Sequence, residues 1–214
     1  MGNYTEPELS RSALLTIDMQ YDFTLPGASA EVPGTYAILP NLGSIAQAYR
    51  LNGLPIIHVV RLYLPDGSNA ELCRRTLFES GTRIVCPGTD GAELVNELKP
   101  SPALRLDSAK LLAGGLQTVA KQEWILYKPR WGAFYNTPLE SHLHSLRINS
   151  LTLVGCNYPN CPRATLIEAS ERDFRILLVE DAISGLYERG KQELQNIGVH
   201  FSNTPKLLNQ LSQL

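Results

Sequence analysis

The sequence has no long run of like charges, no long apolar run and few cysteines, and each absence excludes a class of protein. Its 19 Lys and Arg residues nearly balance 21 Asp and Glu residues, which argues against electrostatic binding of nucleic acid. The N-terminal apolar stretch is far too short to span a membrane, and no secretion-signal pattern precedes it. We therefore expect a cytoplasmic protein that binds neither nucleic acid nor membrane.

The cysteines are too few and too irregularly spaced for a disulfide framework. There are four, without C-x-x-C spacing, in a chain of 214 residues that is long enough to fold around a sizeable core. Reduced thiols in a cytoplasm are the simplest interpretation. We expect Cys156 to be a core residue and assign no role to Cys73 or Cys86, which leaves Cys161 as the thiol of interest.

Apolar runs of strand length alternate with amphipathic stretches of helix length along the chain. This alternation predicts a single domain over residues 1–214, of the α/β class, with three α/β/α layers around a mainly parallel central sheet. The predicted strands are Ala13–Ile17, Ile56–Arg61, Trp124–Lys128, Leu151–Gly155, Arg175–Glu180 and Val199–Ser202. The predicted helices are Ile38–Leu51, Leu139–Leu146, Ala164–Arg172, Glu188–Ile197 and Lys206–Leu214.

Residues 82–122 break this alternation. Prolines and a Gly-Gly pair interrupt the segment, which holds one predicted helix, Ala92–Leu98, and a weaker one, Ala109–Val119. Long irregular segments are commonly surface excursions, subunit contacts or lids. We favour a surface excursion or a contact over a lid.

Cys161 lies in the turn between the predicted strand Leu151–Gly155 and the predicted helix Ala164–Arg172. The N-terminal end of a helix favours a thiolate, which is the nucleophilic form of cysteine. A free cysteine is more often a small buried apolar residue. However, Pro159 and Pro162 stiffen the backbone on both sides, and open α/β sheets bind ligands at this edge. Cys161 is therefore a candidate nucleophile.

Two further polar residues follow predicted strands, and parallel topology brings all three to the same sheet edge. Asp18 follows the first strand and Lys128 ends the third. Asp18 could act as general base for the Cys161 thiol, and Lys128 could stabilise both anions. Backbone N–H groups of the turn 157–161 could bind the oxyanion formed on an amide-type carbonyl. The combination predicts hydrolysis through a thioester.

Four segments carry a resemblance to a known family. They are LLTIDMQYDF (14–23), KPRWGAFYNTPL (128–139), the spaced residues Gly155, Cys161 and Thr165, and VEDA (179–182). Together and in this order they resemble the isochorismatase-like cysteine hydrolase superfamily. The resemblance implies a Rossmann-like fold, a homo-oligomer, and a catalytic triad of Asp18, Lys128 and Cys161. It also implies an oxyanion hole at the amides of Asn157 and Cys161, behind a cis Cys156–Asn157 bond.

The resemblance also raises the questions of a metal and of the substrate. Nicotinamidases of this superfamily have an Asp-x-His plus His metal site, whereas His58 lies inside a predicted strand and is expected in the core. His142, His144 and His200 do not supply metal-ligand spacing, so we expect no metal and no cofactor. Because KPRWGAFYNTPL is similar to the matching segment of ureidoacrylate amidohydrolases, the hypothesis is cleavage of a C–N bond in a small amide, ureide or carbamoyl compound.

Two alternatives remain open at this point. One is vinyl-ether hydrolysis of isochorismate by acid catalysis through Asp18. The other is a non-enzymatic binding or redox-sensing module in which Cys161 oxidises reversibly.

Several residues near the triad are candidates for contact with the small-molecule substrate. Four aromatic side chains are expected to line a small apolar pocket, unless they are core residues: Phe23, Trp131, Phe134 and Tyr158. Arg130 and Arg163 could each hold a substrate carboxylate, or could instead be solvated or pair with acids such as Glu168.

Overall fold

The structure, a computed structural model, describes residues 4–214. Within this range seven strands form a single sheet. They are β1 (Ser12–Ile17), β2 (Ile56–Val60), β3 (Gln117–Ala120), β4 (Glu123–Tyr127), β5 (Ser150–Gly155), β6 (Arg175–Ile183) and β7 (His200–Ser202). The strand order is β3-β4-β2-β1-β5-β6-β7, and every neighbouring pair is parallel except β3 with β4. The predicted α/β fold with a mainly parallel sheet is confirmed.

Helices connect the parallel strands and cover both faces of the sheet. The helices are α1 (Tyr21–Thr24), α2 (Leu39–Leu51), α3 (Arg75–Glu79), α4 (Ser108–Leu112), α5 (Leu139–Ser145), α6 (Cys161–Ser170), α7 (Glu188–Gln195) and α8 (Thr204–Leu211). Short 3-10 turns lie at Leu9–Arg11, Tyr36–Ile38, Leu72–Arg74, Asp90–Ala92 and Asn96–Leu98. None of the helices in the described range combines the length and apolar character needed to cross a bilayer.

The core consists of two apolar layers, one on each face of the sheet. Because strand side chains alternate between faces, Leu14 packs in the layer beneath α2 and α8, whereas Leu15 and Ile17 pack in the layer beneath α5 and α6. All six residues of β1 are buried. This central strand is therefore fixed on both sides, which fixes the position of Asp18 at its end.

The prediction for residues 82–122 was wrong in two places. In place of one helix, Ala92–Leu98 contains the last residue of one 3-10 turn and the whole of the next, Asn96–Leu98, and the predicted helix Ala109–Val119 stops at Leu112. Gly114 has a positive φ of 84°, a conformation in which helices commonly end. The chain then continues as β3, which pairs antiparallel with β4.

The same segment belongs to the core rather than to a surface excursion. Its apolar side chains join the layer beneath α2: Ile84, Val85, Ala92, Leu94, Val95, Leu98 and Leu111. Its backbone also meets the end of β1, where the Val95 N–H donates to the Met19 carbonyl at 3.1 Å. The segment therefore packs directly beside the sheet edge at which Asp18 lies.

Candidate active site

The three residues of the predicted triad lie together at the carboxyl edge of the sheet. Asp18 follows β1, Lys128 follows β4, and Cys161 is the first residue of α6. The Lys128 Nζ atom lies 3.0 Å from Asp18 Oδ2 and 3.2 Å from Cys161 Sγ. All three side chains are buried. A carboxylate, an ammonium and a thiol therefore share one site that is largely removed from water.

Asp18 is held in a left-handed backbone conformation, with φ of 53°, which Asp tolerates better than most residues. Its N–H donates to the Val59 carbonyl at 2.9 Å, and this bond ties it to the neighbouring strand β2. Oδ2 bonds Lys128, whereas Oδ1 is buried and has no hydrogen-bond partner among the described residues. Asp18 thus presents one free oxygen as a proton acceptor.

The thiol of Cys161 keeps its proton in the resting site. Burial, and next the negative charge of Asp18, raise its pKa to about 12, and Lys128 offsets only part of that rise. The expectation that the end of the helix would favour a resting thiolate was therefore wrong. Burial lowers the pKa of the Lys128 ammonium, but its interactions with the Asp18 carboxylate and with Cys161 outweigh that effect and leave its pKa raised.

The turn before Cys161 has the geometry that the resemblance implied. The Cys156–Asn157 peptide bond is cis. In the described part of the chain, the N–H groups of Asn157 and Cys161 donate to no protein acceptor. Gly155 has a positive φ of 120°, and a Cβ atom there would collide with the Ile17 carbonyl, so this approach to β1 requires glycine. Two amide donors remain free beside the thiol.

Side chains of α6 anchor the segment after Lys128. Thr165 Oγ1 accepts a hydrogen bond from the Ala133 N–H at 3.1 Å and donates to the Cys161 carbonyl at 2.8 Å. The Phe134 N–H donates to Glu168 Oε2 at 2.9 Å. These bonds fix the Lys128 segment relative to the helix that begins with Cys161. The sequence indicated Glu168 only as a possible partner of Arg130 or Arg163 and gave no sign of this positioning role.

The triad opens into a small cavity of about 100 Å³. That is room for several water molecules or a compact group of a ligand. Beside the triad, the wall carries polar and charged residues and a set of apolar ones. It is formed by Asp18, Phe23, Ala30, Val32, Arg61, Tyr63, Glu71, Arg74, Lys128, Trp131, Cys156, Asn157, Asn160 and Cys161.

With this geometry established, comparison with known proteins gives the family. A sequence profile of the isochorismatase domain matches residues 12–198. The chain belongs to the isochorismatase family. The resemblance drawn from the sequence is therefore confirmed.

Three known proteins of this family show what the chain is similar to. It is 32% identical over 202 residues to a probable inactive nicotinamidase from Arabidopsis thaliana, with 92% of each chain covered. It is 25% identical over 209 residues to N-carbamoylsarcosine amidase from an Arthrobacter species, covering 96% of this chain and 73% of the relative. A solved isochorismatase family protein from Desulfovibrio vulgaris superposes with a TM-score of 0.79 at 32% identity, covering 94% and 98%. Family members include amidohydrolases, which act on C–N bonds.

Two of the four predicted aromatic residues line the cavity of this isochorismatase-family chain and two do not. Phe23 and Trp131 belong to its wall. Phe134 instead packs against Phe174, with ring centroids 5.7 Å apart, and Tyr158 is fully buried in the same core layer. The expectation for Phe134 and Tyr158 was wrong, because closeness in sequence to Lys128 and Cys161 does not determine where a ring points.

The two arginines proposed for a substrate carboxylate also lie outside the cavity. Arg163 pairs with Glu193 at 2.9 Å, and Arg130 donates to the carbonyls of Asn69 and Pro129. Arg61 and Arg74 line the wall in their place. Arg61 could have been found from the sequence because it directly follows β2, as Lys128 follows β4. Arg74 ends the 3-10 turn that directly precedes α3, and its sequence carries no such signal.

The residues present do not fit the metal site that some relatives have. His58 is buried and contacts Thr16 Oγ1 at 2.9 Å and Glu123 Oε1 at 2.8 Å, deep in the sheet. Within residues 4–214, no group of three His, Cys, Asp or Glu side chains is placed to hold a metal ion. The two carboxylates of the cavity, those of Asp18 and Glu71, are ion-paired with Lys128 and Arg61.

Proposed function

We propose that the protein is a metal-independent cysteine hydrolase that cleaves a C–N bond of a small amide, ureide or carbamoyl compound. One observation carries the proposal. Cys161 Sγ lies 3.2 Å from Lys128 Nζ, which lies 3.0 Å from Asp18 Oδ2, while Asp18 Oδ1 is buried without a partner. The site thus contains a nucleophile, a free proton acceptor and a cation that stabilises negative charge on either of them.

The first chemical step follows from the raised pKa of the thiol. As Cys161 Sγ bonds to the substrate carbonyl carbon, its proton passes to Asp18, so that a free thiolate never has to accumulate. The carbonyl oxygen gains the negative charge and accepts hydrogen bonds from the N–H groups of Asn157 and Cys161. Donors preorganised in this way are worth roughly 3–4 kcal/mol each.

The remaining steps return every group to its starting state. Asp18 gives its proton to the leaving nitrogen as the C–N bond breaks, which leaves a thioester on Cys161. Asp18 then takes a proton from an incoming water, whose oxygen bonds to the thioester carbon. The C–S bond breaks, and the thiol of Cys161 recovers its proton. Lys128 stays charged throughout and stabilises whichever partner is anionic.

One relative supports cleavage of a C–N bond, and another calls for caution about activity. The Arthrobacter relative is an amidase of a carbamoyl compound. By contrast, the Arabidopsis relative is called a probable inactive nicotinamidase. A test of the proposal therefore has to ask whether this chain turns over any C–N substrate before it asks which one.

The test is turnover of a panel of small amides, ureides and carbamoyl compounds, followed by release of ammonia or amine. Cys161→Ala is expected to lower turnover at least about 1000-fold, as removal of a covalent nucleophile commonly does. Cys73→Ser, which changes an exposed thiol, is the matched control and should leave turnover unchanged. Turnover that persists in Cys161→Ala would overturn the proposal and favour acid catalysis through Asp18.

A further inference from the structure

The charges that line the cavity do not cancel. Lys128 is paired with Asp18 at 3.0 Å, and Arg61 is paired with Glu71 at 3.3 Å. Arg74 also lines the wall, and among residues 4–214 no carboxylate lies within ion-pair distance of it, although its charge helps Arg61 to lower the pKa of Glu71. Glu71 therefore faces two arginines, and the wall carries one more positive charge than negative charge.

Arg61 is not available to a ligand because the protein uses its donors. Its Nε donates to Glu71 Oε1 at 3.3 Å, and its Nη1 donates to the Leu62 carbonyl at 2.7 Å and to Tyr127 Oη at 3.0 Å. Its Nη2 donates to the Asn69 carbonyl at 2.8 Å. The side chain is only 2% exposed. Arg61 therefore has a structural role in shaping the wall.

Arg74 is held in a different way, by aromatic faces. Its guanidinium carbon lies 5.0 Å from the centroid of the Trp131 ring and 5.5 Å from that of the Tyr63 ring. Such cation–π contacts orient a guanidinium but use none of its N–H donors. The Arg74 backbone N–H donates to the Glu71 carbonyl at 2.9 Å, but among residues 4–214 its guanidinium donates no hydrogen bond. The planar fork of donors is therefore oriented at the cavity wall with its N–H groups available to a ligand.

We infer that Arg74 binds a carboxylate of the substrate. The preferred substrates are then small amides, ureides or carbamoyl compounds with one carboxylate a few atoms from the scissile carbonyl. A guanidinium fork matches a carboxylate in a bidentate manner, and a single unpaired cation balances a monoanion rather than a phosphate dianion. The identity of the scissile bond rests on the proposed function, whereas the anion site does not.

A matched pair of alkylating reagents tests the anion site without any amide turnover. Iodoacetate and iodoacetamide both react by the same step: Cys161 Sγ bonds to the reagent carbon, iodide leaves, and the thiol proton passes to Asp18. They differ in that one carries a carboxylate and the other a neutral amide. The rates are measured at pH 8 by mass spectrometry of the Cys161 peptide. A Cys73→Ser background is used because Cys73 is exposed.

Arg74→Gln is expected to slow alkylation by iodoacetate roughly 10- to 100-fold, the loss of a charge-assisted pair, and to change the iodoacetamide rate less than about threefold. Arg75→Gln is the control, because Arg75 is exposed and outside the cavity wall; both of its rates should match the parent. Equal effects of Arg74→Gln on both reagents, or no effect on either, would overturn the assignment.

Calorimetry measures the affinity of the anion site directly and needs no reactive thiol. N-carbamoylglycine and its neutral amide are titrated into Cys161→Ala and into Cys161→Ala with Arg74→Gln. The acid should bind at least tenfold more weakly when Arg74 is replaced, and the neutral amide should not. Equal binding of the acid in both proteins, or binding in neither, contradicts a carboxylate site. Failure of the proposed function shows separately, as turnover that does not depend on Cys161.

Discussion

Lys128 Nζ and Asp18 Oδ2 lie 3.0 Å apart, and only 1% and 6% of their side chains are exposed. At such burial neither charge is well solvated, so each charge is stabilised mainly by the other. Removal of one partner of a buried pair leaves an uncompensated charge, which is strongly destabilising. Because Lys128 also contacts Cys161, the three side chains behave as one electrostatic unit, and their substitutions are expected to be coupled rather than additive.

The raised pKa of Cys161 predicts an unusual pH profile. Because the pKa of the thiol lies near 12, Cys161 keeps its proton across pH 7–10, and that proton passes to Asp18 on attack. Alkylation of Cys161 by iodoacetamide should therefore vary little over this range. An independent thiol would instead react about tenfold faster for each pH unit below its pKa.

Asp18→Asn should convert that flat profile into a sloping one. Loss of the carboxylate removes the second-largest cause of the raised pKa of Cys161, so the pKa falls, but no base remains to take the proton. Turnover should be lost while alkylation rises with pH. Asp90→Asn, which changes a carboxylate that is 92% exposed, is the control and should keep the flat profile. A flat profile in Asp18→Asn would contradict proton transfer to that residue.

Lys128→Met should lower both stability and turnover. It leaves the Asp18 carboxylate buried and unpaired, at a cost of about 3–5 kcal/mol in the free energy of unfolding, and it removes the charge that lowers the pKa of Cys161. Adding Asp18→Asn should restore much of the stability and none of the activity. Chemical denaturation of the parent, the two single variants and the double variant measures this coupling. If the losses in the free energy of unfolding of the two single variants add in the double variant, the coupling is refuted.

Glu168→Ala should slow turnover although Glu168 does not line the cavity. Its carboxylate accepts the Phe134 N–H at 2.9 Å, and this bond fixes the segment that follows Lys128. We expect kcat to fall roughly 10-fold, because misplacement of a catalytic group costs rate even at a distance. Glu168→Gln retains an acceptor and should recover most of kcat. Steady-state kinetics compares both with Glu171→Ala, which should match the parent.

Glu123 should control stability in acid. Burial tends to raise its pKa, but hydrogen bonds from Arg50 and His58 outweigh burial and lower the pKa to about 2. A lowered folded-state pKa stabilises the fold above the ordinary value of 4.5, and this stability is lost as pH falls toward 2. Glu123→Gln should cost about 3 kcal/mol at pH 7 and progressively less below pH 4, measured by urea denaturation. A cost independent of pH would contradict this.

That Asp18, Lys128 and Cys161 lie together could be predicted from the sequence because their positions follow from strand ends. Asp18, Lys128 and Cys161 each follow a run of apolar residues, and parallel strands end at one edge. The cavity wall could not be predicted in the same way. The position of Arg74 depends on contacts between residues far apart in the sequence. One of them is the contact between the rings of Tyr63 and Phe78, whose centroids lie 4.9 Å apart.

Elements with little burial were also hard to predict. Strand β3 has only four residues, none of them fully buried, so its sequence shows no clear twofold alternation, and the pattern there predicts the end of a helix instead. The fold places it at the sheet edge, where pairing with β4 decides its conformation. Periodicity thus predicted the buried strands that carry the triad, and failed where tertiary pairing alone fixes the backbone.

The central claim is that Cys161 becomes covalently bonded to the acyl or carbamoyl part of its substrate. Rapid quench of the protein during turnover of a small carboxylate-bearing amide or carbamoyl compound, followed by mass spectrometry of the Cys161 peptide, tests it most directly. The account predicts added mass equal to that acyl or carbamoyl group, formed before product accumulates and lost as substrate is exhausted. Turnover with Cys161 unmodified at every time point, or an adduct on another residue, would contradict it.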